Sequence, residues 1–236
     1  MDELSNLKKD LRAFASTAKA KILAGFFKTG KGEYGEGDIF LGVVVPDSRK
    51  IAKKYLFLPL TLIQKLLDSK IHEERLVALL IMVQKYERGS EAKREKLVNF
   101  YLKSTKRVNN WDLVDLTAPK ILGTHLVGRG RSILYKLAKS KNVWERRIAI
   151  ISTFQFILNG ECADTFRIAE ILLKDKHDLI QKAVGWMLRE VGKRVSREKE
   201  EEFLKRNYKK MSRIALRYAI ERFPEDKRKR YLRLTR

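Results

Sequence analysis

The sequence predicts an all-α protein built from repeated helix pairs, an α-solenoid of HEAT-like repeats. Apolar residues recur at spacings of three and four through most of the chain, as Leu4, Leu7 and Leu11 do near its start. The short apolar run at residues 39–45 has no second convincing β segment to pair with. Small or central apolar residues also return at intervals in the middle thirties, which is typical of stacked helical repeats.

The amino-terminal half is predicted to be helical apart from one loop and one connector. Residues 29–37 hold four glycines and are expected to form a flexible loop. A phosphate cradle is disfavoured there, because neither a preceding strand nor a Gly-Lys-Ser/Thr ending is present. Residues 39–45 are expected to be a packed connector. The predicted helices are 3–27 (one or two helices), 46–54, 61–67, 71–88, 91–102 and 111–117, the last ended by Pro119.

The carboxy-terminal half is predicted to be helical between short turns, with a basic loop at residues 128–131. The predicted helices are 132–138, 143–158, 162–173, 178–191, 196–208, 212–223 and 225–234. No Pro/Ser-rich linker or break in composition separates two domains. We therefore expect residues 1–236 to form a single, continuous HEAT-like-repeat domain, curved around a concave basic groove.

The repeat is marked by small or central anchor residues on successive helices. The anchors are Ala78, Val114, Ala149 and Gly185, and Ala215 is a fifth candidate. The first four are separated by 36, 35 and 36 residues. Helices that stack closely need small side chains where they approach, so this spacing favours a solenoid.

The composition is strongly basic. The chain has 52 Lys and Arg against 29 Asp and Glu, a net charge of +23. A positive field of this size attracts polyanions, so nucleic acid is the first candidate partner and a membrane surface the second. A basic proteome or an adaptation for solubility is the alternative explanation. The longest apolar run, residues 76–83, is too short to span a bilayer, and residues 1–4 lack the features of a signal peptide.

Cysteine and histidine usage gives no indication of a metal site or a disulfide. Cys162 is the single cysteine and has no CxxC partner, which fits a reducing cytoplasm. His72, His125 and His177 are far apart in the sequence and form no ligand pair. We therefore expect a cytoplasmic protein that uses no metal or redox cofactor.

Five aromatic or charged residues near the anchors are predicted to face one surface. They are Trp111, Asp115, Arg146, Trp186 and Arg189. Each lies three residues before, one after or four after its anchor, and positions so related fall on one side of a helix. Arg147 lies about 100° round the helix from Arg146. The sequence leaves open which of these two arginines faces the groove.

Each of these residues also has a purely structural interpretation. Tryptophans on apolar helix faces are more often core residues, and an Arg near an Asp on the next helix more often forms an inter-repeat salt bridge. Their coincidence on one predicted stripe of a basic solenoid favours a functional surface. Asp115 would weaken binding to a polyphosphate unless it stabilised positive charge. Asp112 falls off the stripe and is interpreted as a helix-start residue or a salt-bridge partner.

Three motifs in this order resemble the AlkD family of HEAT-like-repeat DNA glycosylases. They are Trp-Asp-Leu-Val-Asp at 111–115, Trp-x-Arg-Arg-x-Ala at 144–149 and Lys-Ala-x-Gly-Trp-x-Leu-Arg-Glu-x-Gly-Lys at 182–193. The similarity runs over nearly the whole chain, including Phe-Leu-Gly-Val at 40–43 followed by Pro46. It implies a DNA glycosylase of base excision repair, and because no lysine nucleophile stands out we expect a monofunctional hydrolase. Such an enzyme excises N3- and N7-alkylated purines (3-methyladenine, 7-methylguanine) from duplex DNA without needing to flip the base.

The resemblance also implies roles for individual residues. Asp115 matches the catalytic aspartate, which stabilises the sugar cation and orients water. Trp111 and Trp186 match two tryptophans that pack against the sugar of the lesion. Arg189 matches a groove arginine, and Arg147 or Arg146 matches the other.

The chain departs from the family at an aromatic contact near the amino terminus. The family places a tyrosine near the lesion, where this chain offers Phe26 or Phe27, with Tyr34 displaced into the glycine-rich loop. Phosphate contacts are expected from seven further basic residues. They are Arg129, Arg131, Lys182, Lys193, Arg194, Arg213 and Arg217. The basic tail at residues 227–230 is interpreted as a solvated end.

Two other functions remain open from the sequence. One is a non-catalytic basic solenoid that binds DNA or RNA as a scaffold, and the other is a protein-interaction solenoid, which the charge fits poorly. Asp115 separates the enzyme from the scaffold, since a binding-only groove has no evident use for it. We expect a monomer that acts on double-stranded DNA in the nucleoid and needs no obligate protein partner.

Overall fold

The computed structural model describes residues 2–233 and contains fifteen α-helices in that range. No strand occurs among these residues, although a lone parallel bridge joins Ile39 to Ile71. The predicted all-α class is therefore confirmed. Internal contacts divide the chain into two compact units, Met1–Thr117 and Ala118–Arg236. The single continuous domain stays a prediction.

The first unit holds seven of the helices. They are α1 (Glu3–Arg12), α2 (Thr17–Phe26), α3 (Val45–Lys54), α4 (Leu60–Leu67), α5 (His72–Arg88), α6 (Glu91–Lys103) and α7 (Trp111–Asp115), with a 3₁₀ turn at Thr105–Arg107. The segment predicted as one or two helices at 3–27 is two. The second helix begins because the side chain of Ser16 accepts a hydrogen bond from the Lys19 amide.

Helix α5 is the centre of the first unit. Its residues 72–83 are buried on every face, and α3 and α4 pack against it. The anchor Ala78 lies in this stretch and is fully buried, as is the anchor Val114 of α7. Residues 76–83 are apolar on every face, as expected of a core helix, so α5 provides the scaffold on which the flanking loops are positioned.

The connector is packed at Phe40, Gly42 and Val43, as predicted, whereas Ile39 is 52% exposed and Val45 already begins α3. Gly42 adopts a positive φ of 82°, and a Cβ there would lie 2.1 Å from the Ser16 carbonyl oxygen. The buried carboxylate of Glu73 accepts hydrogen bonds from the amides of Leu41, Gly42 and Val43. Only glycine fits this close approach without strain, so the Phe-Leu-Gly-Val segment is fixed to the start of both α2 and α5.

The second unit holds the other eight helices. They are α8 (Ser132–Ala138), α9 (Val143–Ser152), α10 (Phe154–Leu158), α11 (Ala163–Leu172), α12 (Asp178–Arg194), α13 (Arg197–Asn207), α14 (Arg213–Ala219) and α15 (Glu225–Arg233). A π-helical turn at Pro119–Gly123 and 3₁₀ turns at Tyr208–Lys210 and Ile220–Arg222 complete it. Leu234, the predicted end of the last helix, lies outside the described residues.

Helix α12 is the centre of the second unit and packs against α9, α11, α13 and α14. The anchor Gly185 faces α14 at very close range, since a Cβ there would lie 2.3 Å from the Ala215 carbonyl oxygen. The anchors Ala149 and Ala215 are both fully buried. These contacts agree with the prediction that small anchor residues mark the points where helices approach.

Three predicted helices are shorter than expected, and threonine explains two of the differences. The helix predicted at 212–223 ends at Ala219 and is followed by the 3₁₀ turn at Ile220–Arg222. The helix predicted at 143–158 divides at Thr153, whose hydroxyl donates to the Ile150 carbonyl at 2.7 Å. Helix α7 ends at Asp115, well before Pro119, and the Thr117 hydroxyl donates to the Leu113 carbonyl at 2.5 Å. A threonine hydroxyl that bonds back to the preceding turn bends or ends a helix.

Candidate functional site

The indole of Trp111 sits at the first position of α7 on a floor of aromatic rings. The side chain of Asn110 caps the helix by accepting from the Trp111 amide at 2.8 Å. The ring of Phe27 is stacked on the indole, with centroids 5.0 Å apart, and Phe26 meets it edge-on at 5.7 Å. Trp111 is half-buried, so one part of the indole packs and another part meets solvent.

The two phenylalanines of α2 and its end have different environments. Phe27 is only 7% exposed and also stacks on Phe40, whereas Phe26 is 61% exposed. Both were predicted as DNA contacts. The ring of Phe27 is enclosed beneath Trp111, so Phe26 is the better placed of the two, and both DNA contacts stay predictions. Phe26 remains available at the surface beside the indole.

A buried histidine supports this aromatic stack from below. His72 is 2% exposed, and its ring stacks on Phe40 with centroids 4.5 Å apart. Its Nε2 lies 2.8 Å from Oδ2 of Asp112, and its Nδ1 lies 3.3 Å from Oδ2 of Asp38. Arg75 pairs with the same Asp38 carboxylate at 2.7 Å. The start of α7 is thereby tied to the first turn of α5.

Electrostatics within this group favour a charged imidazole. Burial alone would lower the pKa of His72, but the adjacent Asp112 and Asp38 carboxylates outweigh it and raise the pKa to about 9. The pKa of Asp38 is lowered, because its bonds to His72 and Arg75 outweigh the effect of burial. At neutral pH the group is therefore an ion network between two aspartates, a histidine and an arginine.

Asp115 is the last residue of α7, one helical turn beyond Trp111. Its side chain is half-buried. Its charge is felt by the fully buried Tyr101, whose phenol lies 3.3 Å from the Thr117 hydroxyl. Burial raises the pKa of Tyr101, the Thr117 contact opposes this, and the Asp115 charge adds to it. Trp111 and Asp115 lie one helical turn apart on α7, and their shared function stays a prediction.

Asp112 plays the structural part that was predicted for it. One carboxylate oxygen bonds His72, and the other accepts from the Leu113 amide at 2.8 Å. A carboxylate at the first turn of a helix is favoured by the unpaired amides there. Asp112 therefore fixes α7 to the unit, and it does so through a histidine that the sequence analysis had set aside.

In the second unit, the two arginines of α9 are engaged in packing. Arg146 pairs with Asp175, with 2.5 Å between Nε and Oδ2, and donates to the carbonyls of Ser140 and Lys141. Arg147 is 5% exposed, and its guanidinium donates to the Leu179 carbonyl at 2.5 Å. Both arginines join α9 to the start of α12 or to its own preceding turn, and a phosphate contact by either one stays a prediction.

The residues predicted on α12 form a mixed aromatic and ionic cluster. Trp186 is half-buried, and its ring centroid lies 6.3 Å from that of Phe154. The guanidinium carbon of Arg194 lies 5.3 Å from the centroid of the Phe154 ring. Arg194 also pairs with Glu190 at 2.7 Å. Arg189 pairs with Glu221 and Glu190 and is largely covered. Two carboxylates therefore already neutralise Arg189, which was predicted to face a phosphate.

The remaining predicted cations differ in how much of each is available. Arg131 is held by Asp164 at 2.6 Å and Glu161 at 2.7 Å, and its guanidinium lies 3.8 Å from the centroid of the Phe156 ring. Lys182 pairs with Asp178 across one helical turn. Four cations have exposed side chains. They are Arg129, Lys193, Arg213 and Arg217.

A family described as "DNA alkylation repair enzyme" matches residues 7–223. The chain belongs to this family. Its role is the repair of alkylated DNA, so DNA is its partner, and the resemblance to AlkD seen in the sequence is confirmed. None of the curated proteins compared with the chain matches it.

Two solved structures share the helical-repeat fold of this family member. The "predicted DNA alkylation repair enzyme from Enterococcus faecalis" is 18% identical, with a TM-score of 0.68, over 89% of this chain and 97% of that one. AlkD2 from Streptococcus mutans is 17% identical, with a TM-score of 0.55, over 94% of this chain and 97% of that one. Within residues 2–233, no helix is both long and apolar enough to cross a membrane.

Sequence reasoning missed the residues that hold the site of this family member in place. His72 was judged only as a metal ligand, because its partners Asp38 and Asp112 lie 34 and 40 residues away. The clue present in the sequence was the polar run His-Glu-Glu-Arg at 72–75, placed directly before the apolar run of α5. Buried polar groups need partners, so such a run at the start of a buried helix predicts a network.

Proposed function

We propose that this protein is a monofunctional DNA glycosylase that hydrolyses the N-glycosidic bond of N3- and N7-alkylated purines in duplex DNA. The observation that carries the proposal is the pairing of Asp115 with Trp111 on one short helix that a buried ion network holds in place. Membership of the DNA alkylation repair enzyme family supports it. In this proposal the protein acts as a monomer on 3-methyladenine and 7-methylguanine.

The chemistry needs little from the protein at the base itself. Alkylation at N3 or N7 makes the purine cationic, so it leaves readily as the glycosidic bond breaks. Positive charge then develops on the deoxyribose, and a nearby carboxylate stabilises it more than it stabilises the neutral sugar. Asp115 supplies that carboxylate. It also orients the water that adds to the sugar, as the acidic residues of glycosidases do.

The aromatic residues around Asp115 suit a developing cation. The face of an indole attracts positive charge, and Trp111 is half exposed beside the surface ring of Phe26. The second unit holds another predicted tryptophan, Trp186, whose assignment rests on the motif that it shares with the family. Because these groups act on the sugar, the alkylated base need not leave the helix in this scheme.

Affinity for the duplex is proposed to come from phosphate contacts. Cations with exposed side chains suit this role best. The second unit offers Arg129, Lys193, Arg213 and Arg217. Each phosphate neutralised releases counterions, so the logarithm of the binding constant should fall linearly with the logarithm of salt concentration. Binding that does not change with salt would contradict this part of the proposal.

The proposal is tested by incubating the protein with methylated duplex DNA and measuring free 3-methyladenine and 7-methylguanine. Release of either base, with intact strands carrying abasic sites, is the expected result. Strand cleavage that occurs without alkaline treatment would contradict the monofunctional assignment. Tight, salt-sensitive binding with no base release would instead support the alternative, a non-catalytic scaffold on DNA or RNA.

A further inference from the structure

A second surface feature lies in the first unit and is formed by none of the residues proposed for glycosylase action. Phe57 is 86% exposed, more than any other large apolar side chain among the described residues. It sits between α3 and α4, and its neighbours Leu56 and Leu58 are buried. The packing of these two leucines holds the chain in place, so the ring of Phe57 is presented outward by a fixed segment.

The exposed ring borders an apolar cavity of about 370 Å³. Leu56, Leu60 and Leu97 line it together with Phe57. A volume of this size admits one or two apolar side chains. Exposed apolar patches that are surrounded by polar residues mark interaction sites more often than scattered single residues do.

The same cavity is lined by four cations, Lys85, Arg88, Lys93 and Lys96. Within the described residues, none of the four has a carboxylate within 4.0 Å. Partial burial lowers the pKa of Lys85; the charge of Glu3 opposes this effect and that of Lys93 adds to it. The cavity therefore combines an apolar lining with four cations that have no carboxylate in direct contact.

The cavity continues into a groove along α6. Leu60 and Lys96 line both, and Phe100 and Lys103 extend the groove, with Glu95 also on its wall. From Lys93 to Lys103 the helix rises by about 15 Å, which is the length of four or five extended residues. The dimensions suit a short peptide segment better than a single small molecule.

We propose that the Phe57 groove docks a short acidic peptide of a partner protein, anchored by a large apolar side chain in the cavity. Charge complementarity selects Asp and Glu on the partner, and the leucine lining selects Leu, Ile or Phe as the anchor. Single-stranded nucleic acid fits less well, because its recognition relies on several aromatic rings that stack successive bases. The groove offers one exposed ring above an aliphatic lining.

The test is fluorescence anisotropy with the full chain and a short fluorescein-labelled peptide that alternates Asp with Leu and Phe. Two matched peptides replace either all apolar residues by Ser or all Asp by Asn. We expect the parent peptide to bind at least about tenfold more tightly than both, since each half of the groove contributes. If the Ser-substituted peptide bound as tightly as the parent peptide, the affinity would come from general charge attraction alone, and the proposal would be overturned.

Variants locate the binding. Phe57→Ser and the pair Lys93→Glu with Lys96→Glu should each weaken the parent peptide by at least about tenfold. The matched control is Lys209→Glu with Lys210→Glu, which makes the same charge change on exposed residues of the second unit and should have a much smaller effect. Unchanged affinity in Phe57→Ser would refute the proposal. So would an oligothymidylate that binds more tightly than the peptide and is lost in the same variants.

Discussion

The imidazole of His72 lies 2.8 Å from the carboxylate of Asp112, the residue that immediately follows Trp111. This contact joins the core helix α5 to the first turn of α7. The positions of Trp111 and of Asp115, one turn later, therefore depend on a charge pair that is itself buried. The geometry makes His72 a positioning residue for the candidate site.

The His72 network predicts a loss of stability at alkaline pH. Because the pKa of His72 is raised from 6.5 to about 9, the folded state holds this proton more tightly than the unfolded state. The stabilisation is complete below pH 6.5 and is lost as pH rises through about 9, a change of about 3 kcal/mol. Urea unfolding of wild type and His72→Gln at pH 6 and at pH 9.5 measures it. Parallel pH dependences of the two proteins would show that His72 is not charged.

The two adjacent phenylalanines should separate stability from activity. Phe27→Ala removes a buried ring from the stack under Trp111 and should cost about 3 kcal/mol of unfolding free energy. Phe26→Ala removes an exposed ring and should change stability by less than about 1 kcal/mol, while lowering activity on methylated DNA. Denaturant melts and base-release rates are measured on the same preparations. If Phe26→Ala leaves the rate unchanged, Phe26 does not contact the DNA.

The arginine and lysine residues of the second unit should also divide into two classes. Arg147→Ala leaves the Leu179 carbonyl without its buried donor and should destabilise the protein by about 3 kcal/mol. Lys193→Ala should leave stability unchanged and reduce the slope of log affinity against log salt by about 1, because one phosphate contact is lost. If Arg147→Ala instead kept the stability and lowered the salt slope, Arg147 would be a DNA contact. Chemical denaturation and salt titrations of duplex binding distinguish the two.

The close approach of α12 and α14 predicts a third difference. Gly185→Ala would place a methyl group 2.3 Å from the Ala215 carbonyl oxygen, so it should destabilise the protein by about 2 kcal/mol. Gly25→Ala is the matched control, because a Cβ there meets nothing within 4 Å and alanine favours the helix. Calorimetric melting should therefore show a lower Tm for the first variant and an equal or higher Tm for the second. Equal Tm values for the two variants would mean that α12 and α14 can move apart at little cost in stability.

The fold was predictable because helical periodicity is local. The spacing of Ala78, Val114, Ala149 and Gly185 identified points of close packing, and these residues are buried. The proximity of Trp111 and Asp115 was predictable for the same reason, since both lie on one short helix. Thr117 and Thr153 were exceptions, because side-chain hydrogen bonds rather than the apolar pattern end α7 and divide α9 from α10.

The environment of the charged residues was less predictable, because it depends on partners distant in sequence. Arg146 meets Asp175, 29 residues later, and a helical stripe does not distinguish that contact from a phosphate contact. His72 meets two aspartates 34 and 40 residues away, so its spacing from other histidines carried no information. Whether such a side chain meets a structural partner or a ligand depends on its burial, which arises from tertiary packing.

The most direct test of the proposed chemistry is the single-turnover rate of 7-methylguanine release by Asp115→Asn, compared with wild type. Asparagine keeps the size of the side chain and removes its charge, so we expect the rate to fall at least about 100-fold while duplex affinity is kept or increased. Asp226→Asn, the same change at an exposed position, should match wild type. A wild-type rate in Asp115→Asn would contradict the catalytic role of Asp115, whatever the protein binds.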